Sequence, residues 1–364
     1  MSASAEEILF DRAGTLATIV INRPQALNAL SLANYRCLAP RLAEWAEDPA
    51  VRAVAIRGAG GRAFCAGGDV QALYQAGRRD PPDREFPATF FREEYQLIRQ
   101  IHRYPKPFVA IIDGITMGGG AGISVNGAFR LATERTQFAM PETGIGLFPD
   151  VGATRFLNRA PGRIGRYLGL SGARIRAADA LYCGFATHFV PQERVEDGLA
   201  ALAGIAWDAG CESEQIAAAL DRVAADPGPA PLAWLRPAID RIFAADTVPV
   251  IVAALEREAA AGGEFAAWAA ETRASLDEKS PTSLAITLHQ LTLGRDFDLD
   301  AALALEYRMT RHVMAAHDFY EGVRAVLIDR DKTPRWRPAR LAEVDAETVA
   351  GYFAPIGARE LRWD

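Results

Sequence analysis

The stretch GITMGGGAGISVNGAFRLATERTQFAMPETGIGLFPD, residues 114–150, decides the fold of this chain and predicts its chemistry. An apolar run over residues 108–113 leads into three consecutive glycines, Gly118 to Gly120, and then into a helical segment. Glycines after a strand let the backbone approach another group closely, because no Cβ stands in the way. Their N–H groups, at a strand-to-helix turn, could bind an anion or an oxyanion. The alternative is a tight turn that serves only close packing.

Two carboxylic acids follow in the same stretch. Glu142 and Asp150 lie in a segment punctuated by proline and glycine, with apolar residues between them. A carboxyl group in apolar surroundings tends to have a raised pKa, which suits general acid/base catalysis. Most acidic residues are solvated surface groups, so an ordinary loop position is the alternative. Oxyanion donors together with two nearby acids indicate acyl chemistry.

A second turn of small residues occurs earlier, in AFCAGGD at residues 63–69. If the two turns each direct one N–H group at the same oxygen, each donor would lower the reaction barrier by about 2.7–4 kcal/mol. Close packing is again the alternative. Cys65 in this turn is interpreted as a small buried residue, because no histidine lies nearby in the sequence to activate its thiol.

The first half of the chain repeats a strand, a glycine-containing turn and a helix, which indicates an α/β domain. We expect the last strand at residues 185–190 and a proline-rich interruption at residues 227–237. The remainder is predicted to be helical, at residues 192–208, 212–225, 238–245, 248–261, 264–276, 281–293 and 297–315. The sequence therefore predicts a catalytic core over residues 1–200 and a helical C-terminal region over residues 201–364.

Composition and charge argue against several classes of function and partner. The 364 residues carry a net charge of −6, which argues against nucleic acid or an acidic membrane surface as the main partner. No run of about 18 apolar residues and no secretory signal is found, so we expect a cytoplasmic protein without a membrane span. The four dispersed cysteines are expected to be reduced, and the histidine spacing predicts no metal site.

Together, AFCAGGD, GITMGGGAG and MPETGIGLFPDVG resemble the crotonase (enoyl-CoA hydratase/isomerase) superfamily. Within it, the chain is most similar to the group that hydrolyses 3-hydroxyisobutyryl-CoA. The further matching segments are FFREEY (90–95), GLFPDVG (146–152), GFATHFV (184–190), SPTSLAITLHQL (280–291) and EYRMTRHVMAAHDFYEGVRAVLIDRDKTPRW (306–336). The resemblance covers nearly the whole chain and implies an α/β fold, a crotonase-like spiral of ββα units with a helical C-terminal region.

The resemblance also implies roles for five residues. The backbone N–H groups of Ala66 and Gly119 would form an oxyanion hole for a thioester carbonyl. Glu142 would be the catalytic carboxylate, and Asp150 would hold the hydroxyl group of the substrate or the attacking water. Glu94 would be a further substrate-contacting glutamate, with a helix-surface ion pair as the alternative. An acyl-CoA would be the substrate, with no separate cofactor and no metal. Whether the chain forms a homo-oligomer is left open.

Two departures from the hydratase pattern bear on the reaction. Gly122 stands where hydratases carry the first of two glutamates, and Asp150 stands where they have a small residue. This favours hydrolysis of 3-hydroxyisobutyryl-CoA, and also of 3-hydroxypropionyl-CoA, in valine breakdown. The alternatives are an enoyl-CoA hydratase or isomerase and a non-catalytic acyl-CoA-binding protein. Asn126, where this group often has histidine, leaves the acyl-chain preference open.

Overall fold

The computed structural model describes residues 6–208 and 210–363, and the predicted α/β class is confirmed. The strands in these residues are β1 (Ile8–Ala13), β2 (Leu16–Ile21), β3 (Ala53–Gly58), β4 (Ala63–Cys65), β5 (Phe108–Ile112), β6 (Ile115–Met117), β7 (Phe129–Ala132), β8 (Gln137–Ala139) and β9 (His188–Phe189). They form a sheet of order β1-β2-β3-β5-β7-β9 and a smaller sheet of order β4-β6-β8. In the larger sheet β1 and β2 form an antiparallel hairpin, and the following pairs are parallel.

Helices make up most of the rest of the described chain. They are α1 (Leu32–Glu47), α2 (Val70–Gly77), α3 (Glu85–His102), α4 (Gly119–Val125), α5 (Ala153–Arg159), α6 (Ile164–Ser171), α7 (Ala177–Tyr182), α8 (Val195–Ala203), α9 (Glu212–Asp221), α10 (Pro231–Ile242), α11 (Val248–Ala260), α12 (Ala266–Asp277), α13 (Pro281–Leu293), α14 (Leu299–Val313), α15 (Asp318–Val323) and α16 (Ala346–Gly351). Short 3-10 helices lie at Pro24–Ala26, Glu142–Ile145, Gln192–Arg194, Leu341–Glu343 and Gly357–Arg359, and a π-helical turn lies at Arg324–Ile328. No helix of the described residues is long and apolar enough to cross a membrane.

Two predicted element boundaries are wrong. The predicted interruption at residues 227–237 is partly helical, because α10 begins at Pro231, in a first turn that needs no N–H donor, and continues through Pro237. The predicted last strand shrinks to β9 because the N–H group of Phe185 donates to the carbonyl oxygen of Ala180 at 2.8 Å. This hydrogen bond closes the end of α7 and keeps the chain out of the sheet at that point.

The described chain divides into two compact units that alternate along the sequence. The first unit contains residues 1–68, 96–138 and 175–230, of which the structure describes those from residue 6 except residue 209. It holds the larger sheet. The second unit contains residues 69–95, 139–174 and 231–364, described as far as residue 363, and is almost entirely helical. This division by contacts differs from the sequential division at residue 200, because two early segments group with the C-terminal helices.

The core of the first unit forms where α8 and α9 cover the larger sheet. Alternate residues of neighbouring strands are buried on this side, as the two-residue period of a strand dictates. The strand residues of this cluster are Leu16, Ala53, Ala55, Val109, Ile111, Phe129 and Leu131, and the helix residues include Val195, Leu202, Ile216, Ala219 and Leu220. Burying each large aliphatic side chain contributes roughly 1.5–3 kcal/mol. β5, which this packing covers, leads through β6 into the glycine turn at Gly118.

Candidate active site

Glu142 lies in the second unit, at the start of the 3-10 helix Glu142–Ile145. The N–H group of Leu147 donates to the carbonyl oxygen of Glu142 at 3.0 Å, and Gly146 closes the turn with a φ of 72°. A Cβ atom at Gly146 would lie 2.2 Å from the carbonyl of Asp318, so only glycine fits where α15 packs against this segment. The segment that begins with Glu142 is therefore held by its own turn and by the backbone of Asp318.

Asp150 lies at the turn that leads into α5. Its carbonyl oxygen accepts a hydrogen bond from the N–H group of Ala153 at 2.9 Å. Its side-chain Oδ2 accepts a hydrogen bond from the phenol of Tyr95 at 2.7 Å. The next two residues have left-handed backbone conformations, with φ values of 59° at Val151 and 88° at Gly152. A β-branched residue rarely adopts such a φ, so the surroundings must hold the turn.

Six carboxylic acids are buried among the described residues of the second unit: Glu94, Glu142, Asp150, Glu306, Asp318 and Glu321. The exposed fractions of Glu94, Glu142, Asp150 and Glu306 are 2%, 5%, 4% and 0%. Glu94 is thus buried rather than exposed at the helix surface. Sequence patterns alone did not reveal the parts played by Glu306 and Tyr95. Glu306 could have been noticed, because it occupies an otherwise apolar position in the helical repeat of α14, between Leu303 and Met309.

Burial raises the pKa values of Glu142, Asp150 and Glu306. Burial raises the pKa of Glu142 well above its usual range, and the negative charges of Asp150, Glu94 and Glu306 raise it further. Burial likewise raises the pKa of Asp150, against the hydrogen bond from Tyr95, which lowers it. Burial also raises the pKa of Glu306, to about 8. The Oε2 atom of Glu142 accepts no hydrogen bond from the described residues. Glu142 therefore combines high basicity with a free acceptor atom.

The two glycine turns lie side by side within the first unit. Strands β4 and β6 pair in parallel, so both strands end at the same edge of their sheet and both turns begin there. A Cβ atom at Gly120 would lie 2.1 Å from the carbonyl oxygen of Cys65. A Cβ atom at Gly67 would lie 3.7 Å from the backbone nitrogen of Gly119. The two small-residue turns therefore lie close to each other.

The structure corrects one of the two predicted oxyanion donors. The N–H group of Ala66 donates to the carbonyl oxygen of Leu27 at 3.0 Å, so it is already used within the fold, and its assignment as an oxyanion donor is contradicted. The N–H groups of Gly67 and Gly68, in the same turn, donate to no acceptor among the described residues. The N–H group of Gly119, at the first position of α4, likewise has no acceptor in the described part of the chain.

Two other sequence interpretations can be compared with the geometry. Cys65 is buried, and its thiol donates to the carbonyl oxygen of Gly67 at a distance of 3.6 Å, as expected of a structural residue. Gly122 lies inside α4, with its N–H group bonded to the carbonyl oxygen of Gly118. The position of the first hydratase glutamate therefore carries no side chain that could act on a substrate.

The chain belongs to the enoyl-CoA hydratase/isomerase family, whose sequence pattern matches residues 16–353. It is 43% identical over 363 residues to the 3-hydroxyisobutyryl-CoA hydrolase of Danio rerio, covering 99% of this chain and 93% of the relative. It is 45% identical over 365 residues to the enzyme of that name from Xenopus tropicalis, covering 98% and 91%. A solved enoyl-CoA hydratase structure from Rhodobacter sphaeroides superimposes with a TM-score of 0.88 at 39% identity, covering 98% of this chain and 100% of that one.

The predicted cytoplasmic location is wrong. Both the Danio rerio and the Xenopus tropicalis relatives are named as mitochondrial enzymes. The prediction rested on the lack of a secretory signal and of a membrane span. Neither feature distinguishes the cytoplasm from the inside of an organelle.

Proposed function

We propose that this chain hydrolyses the thioester of 3-hydroxyisobutyryl-CoA to CoA and the free hydroxy acid, as a step of valine breakdown, and that it also accepts 3-hydroxypropionyl-CoA. The name and the near full-length similarity of the relatives support this proposal. The observation that carries it within the molecule is the buried pair of Glu142 and Asp150, in a chain that has glycine at position 122. Hydration of a double bond in this family pattern would use a second glutamate at that position.

Glu142 is the proposed catalytic carboxylate. Its raised pKa makes the ionised form a strong base or nucleophile, and its Oε2 atom has no hydrogen-bond donor among the described residues. In one route this oxygen attacks the thioester carbon, CoA leaves as the thiol after protonation, and water hydrolyses the resulting anhydride. In the other, Glu142 takes a proton from water, which attacks the thioester carbon. Both routes give the same products.

Glycine N–H groups of the first unit are the proposed oxyanion donors. The N–H groups of Gly119 and of the turn at Gly67 and Gly68 would donate to the thioester oxygen as it gains negative charge. Two such donors are together worth several kcal/mol of barrier, because each contributes about 2.7–4 kcal/mol. The proposal thus keeps Gly119 and replaces Ala66 by its neighbours.

Asp150 is the proposed partner of the 3-hydroxyl group of the substrate or of the attacking water. The phenol of Tyr95 occupies Oδ2 of Asp150, so the carboxylate has a defined orientation and its second oxygen can accept another hydrogen bond. Glu94, buried on α3, is proposed as a further substrate contact. The reaction as proposed uses no resident metal or cofactor, since CoA belongs to the substrate.

A comparison of two assays tests the function. The purified chain is incubated with 3-hydroxyisobutyryl-CoA while thiol release is followed with a disulfide reagent, and with crotonyl-CoA while loss of the enoyl absorbance is followed. We expect rapid thiol release and slow or no hydration. Hydration without thiol release would overturn the proposal in favour of an enoyl-CoA hydratase, the activity for which the Rhodobacter sphaeroides protein is named. Binding of both thioesters without any reaction would indicate an acyl-CoA-binding protein.

The ¹⁸O content of the Glu142 carboxyl group distinguishes the two routes for Glu142. In a single turnover in ¹⁸O-water, the anhydride route leaves the label in Glu142 when water attacks the glutamyl carbon. The activated-water route never labels Glu142. Mass spectrometry of the peptide that contains Glu142 measures this label, and hydroxylamine trapping of an acyl-enzyme provides the second readout.

A further inference from the structure

Two side chains from the C-terminal helices form hydrogen bonds with the turn that contains Asp150. The amide nitrogen of Gln290, on α13, donates to the carbonyl oxygen of Pro149 at 2.7 Å and to Oγ1 of Thr154 at 2.8 Å. The carboxylate of Glu306, on α14, accepts from the N–H group of Gly152 at 2.7 Å and from the N–H group of Thr154 at 2.8 Å. It also accepts from Oγ1 of Thr154 at 2.7 Å. All of these residues belong to the second unit.

The backbone of the Asp150 turn has a strained conformation that needs such hydrogen bonds. Val151 and Gly152 both have positive φ values, and a residue such as Val151 in this region costs of the order of 1–3 kcal/mol. Such a conformation persists only where the surroundings determine it. Glu306 bonds the residue that directly follows Val151, and Gln290 bonds the residue that directly precedes Asp150. The strained segment is therefore held at both of its ends.

A simple helix cap would not require this arrangement. Caps are normally made by a short polar side chain at the start of the helix itself, and Gly152, which precedes α5, has none. The chain instead buries a carboxylate from a helix that lies 152 residues further along the sequence. Burying a carboxylate is costly unless its hydrogen bonds compensate. All three hydrogen bonds of Glu306 come from Gly152 and Thr154, which lie two and four residues after Asp150.

We propose that Glu306 is a positioning residue of the hydrolytic reaction: it holds the Asp150 turn so that the Asp150 carboxylate stays in reach of the Tyr95 phenol. Gln290 supports the same turn from its other end. The kinetic tests of this inference, which measure kcat and KM of thiol release, rest on the proposed hydrolase function. It assigns a positioning role to the helical C-terminal region, which the resemblance alone described only as an extension of the fold.

The substitution Glu306→Gln tests the inference with a side chain of the same size. The remaining oxygen can accept two bonds, while the amide group places N–H donors against a backbone N–H group. We expect kcat to fall about 10–100-fold with KM little changed, as is typical of a catalytic group displaced by a fraction of an ångström. An unchanged kcat, or a rise in KM alone, would overturn the inference.

A double-mutant cycle shows whether Glu306 acts through Asp150. Tyr95→Phe removes the hydrogen bond to Asp150, and it is combined with Glu306→Gln. If Glu306 serves to keep Asp150 at Tyr95, the double variant loses little more than the worse single variant. Losses that multiply would show that Glu306 acts independently of that hydrogen bond, and would refute the proposal.

Two further measurements keep the test decisive. If Glu306→Gln does not fold, Thr154→Val and Thr154→Ser replace it: serine keeps the hydroxyl bond to Glu306, valine does not, and only valine should lose kcat. Equal kcat values for the two would count against the inference.

The double-mutant cycle of Glu306→Gln and Tyr95→Phe is also measured as the free energy of unfolding in the absence of substrate. If the wild-type chain released no thiol, the function would fail, while non-additive unfolding free energies would still support the positioning role.

Discussion

The phenol of Tyr95 donates a hydrogen bond of 2.7 Å to Oδ2 of Asp150, and both residues are buried. This bond connects α3 to the turn before α5 within the second unit. It lowers the pKa of Asp150, whereas burial raises it. Burial, together with the charges of Asp150, Glu306 and Glu94, in turn raises the pKa of Tyr95, so the phenol stays a proton donor over the whole working range.

Tyr95→Phe is expected to lower kcat about tenfold or more, because a hydrogen bond to a charged group contributes about 1.5–3 kcal/mol. The change removes the interaction that lowers the pKa of Asp150, so the acidic limb of kcat/KM should move to higher pH. The measurement is a pH profile of thiol release. Tyr307→Phe is the control, because the Tyr307 hydroxyl contacts Arg92 and Ala88 rather than Asp150. An unchanged Tyr95→Phe profile would show that Asp150 does not depend on this bond.

Glu142→Gln is expected to abolish thiol release while leaving binding of the CoA thioester mostly intact. The amide keeps the size of the side chain and removes both the base and the nucleophile. Turnover is measured with substrate in excess, and binding by calorimetry. Glu271→Gln, at an exposed position of α12, is the control and should behave as the wild type. A variant at position 142 with near-normal kcat would remove Glu142 from the mechanism.

The same Glu142→Gln change should stabilise the fold increasingly as the pH rises above 4.5. The pKa of Glu142 is raised above its usual 4.5, so the folded chain binds this proton more tightly than the unfolded chain. The contribution is full below pH 4.5 and is lost as the pH rises from there through the raised pKa, because ionising the buried acid opposes folding. Thermal unfolding at several pH values should therefore show a Tm gain for the variant that grows with pH. A gain that shrinks with pH would contradict this sign.

Gly322→Ala is expected to destabilise the chain and to lower kcat. A Cβ atom at this position of α15 would lie 2.4 Å from the carbonyl carbon of Ile145, in the 3-10 helix that begins with Glu142. Overpacking of this kind typically costs about 1–3 kcal/mol, and relief requires the Glu142 segment to move. Urea unfolding and thiol release measure the two effects. Gly351→Ala is the control, since a Cβ there meets nothing within 4 Å.

The features that the sequence predicted correctly depend on short-range patterns. The strand–turn–helix repeat of the first half and the helices predicted at residues 248–261 and 281–293 follow from residues near each other in the chain. The N-cap Ser280, followed by Pro281 at the first position of α13, is one such local signal. Burial of Glu142 could likewise be anticipated from the apolar residues that surround it in the sequence.

The features that the sequence did not reveal depend on contacts between distant segments. Nothing near Ala66 indicates that its N–H group is used by Leu27, because that contact arises only when the loop before α1 reaches β4. Nothing near Asp150 points to Tyr95 or to Glu306, which come from α3 and α14. The helix α10 also began earlier than expected, because proline is tolerated in a first turn.

The distance along the chain between the Asp150 turn and Glu306 has a consequence for biosynthesis. Thr154 leaves the ribosome 152 residues before the carboxylate that accepts its hydrogen bonds. Until α14 has been translated, the nascent polypeptide holds an unsupported acid pair and should release no CoA. A premature stop between α7 and α14 would then yield a product that has every motif of the first half and no thioesterase activity.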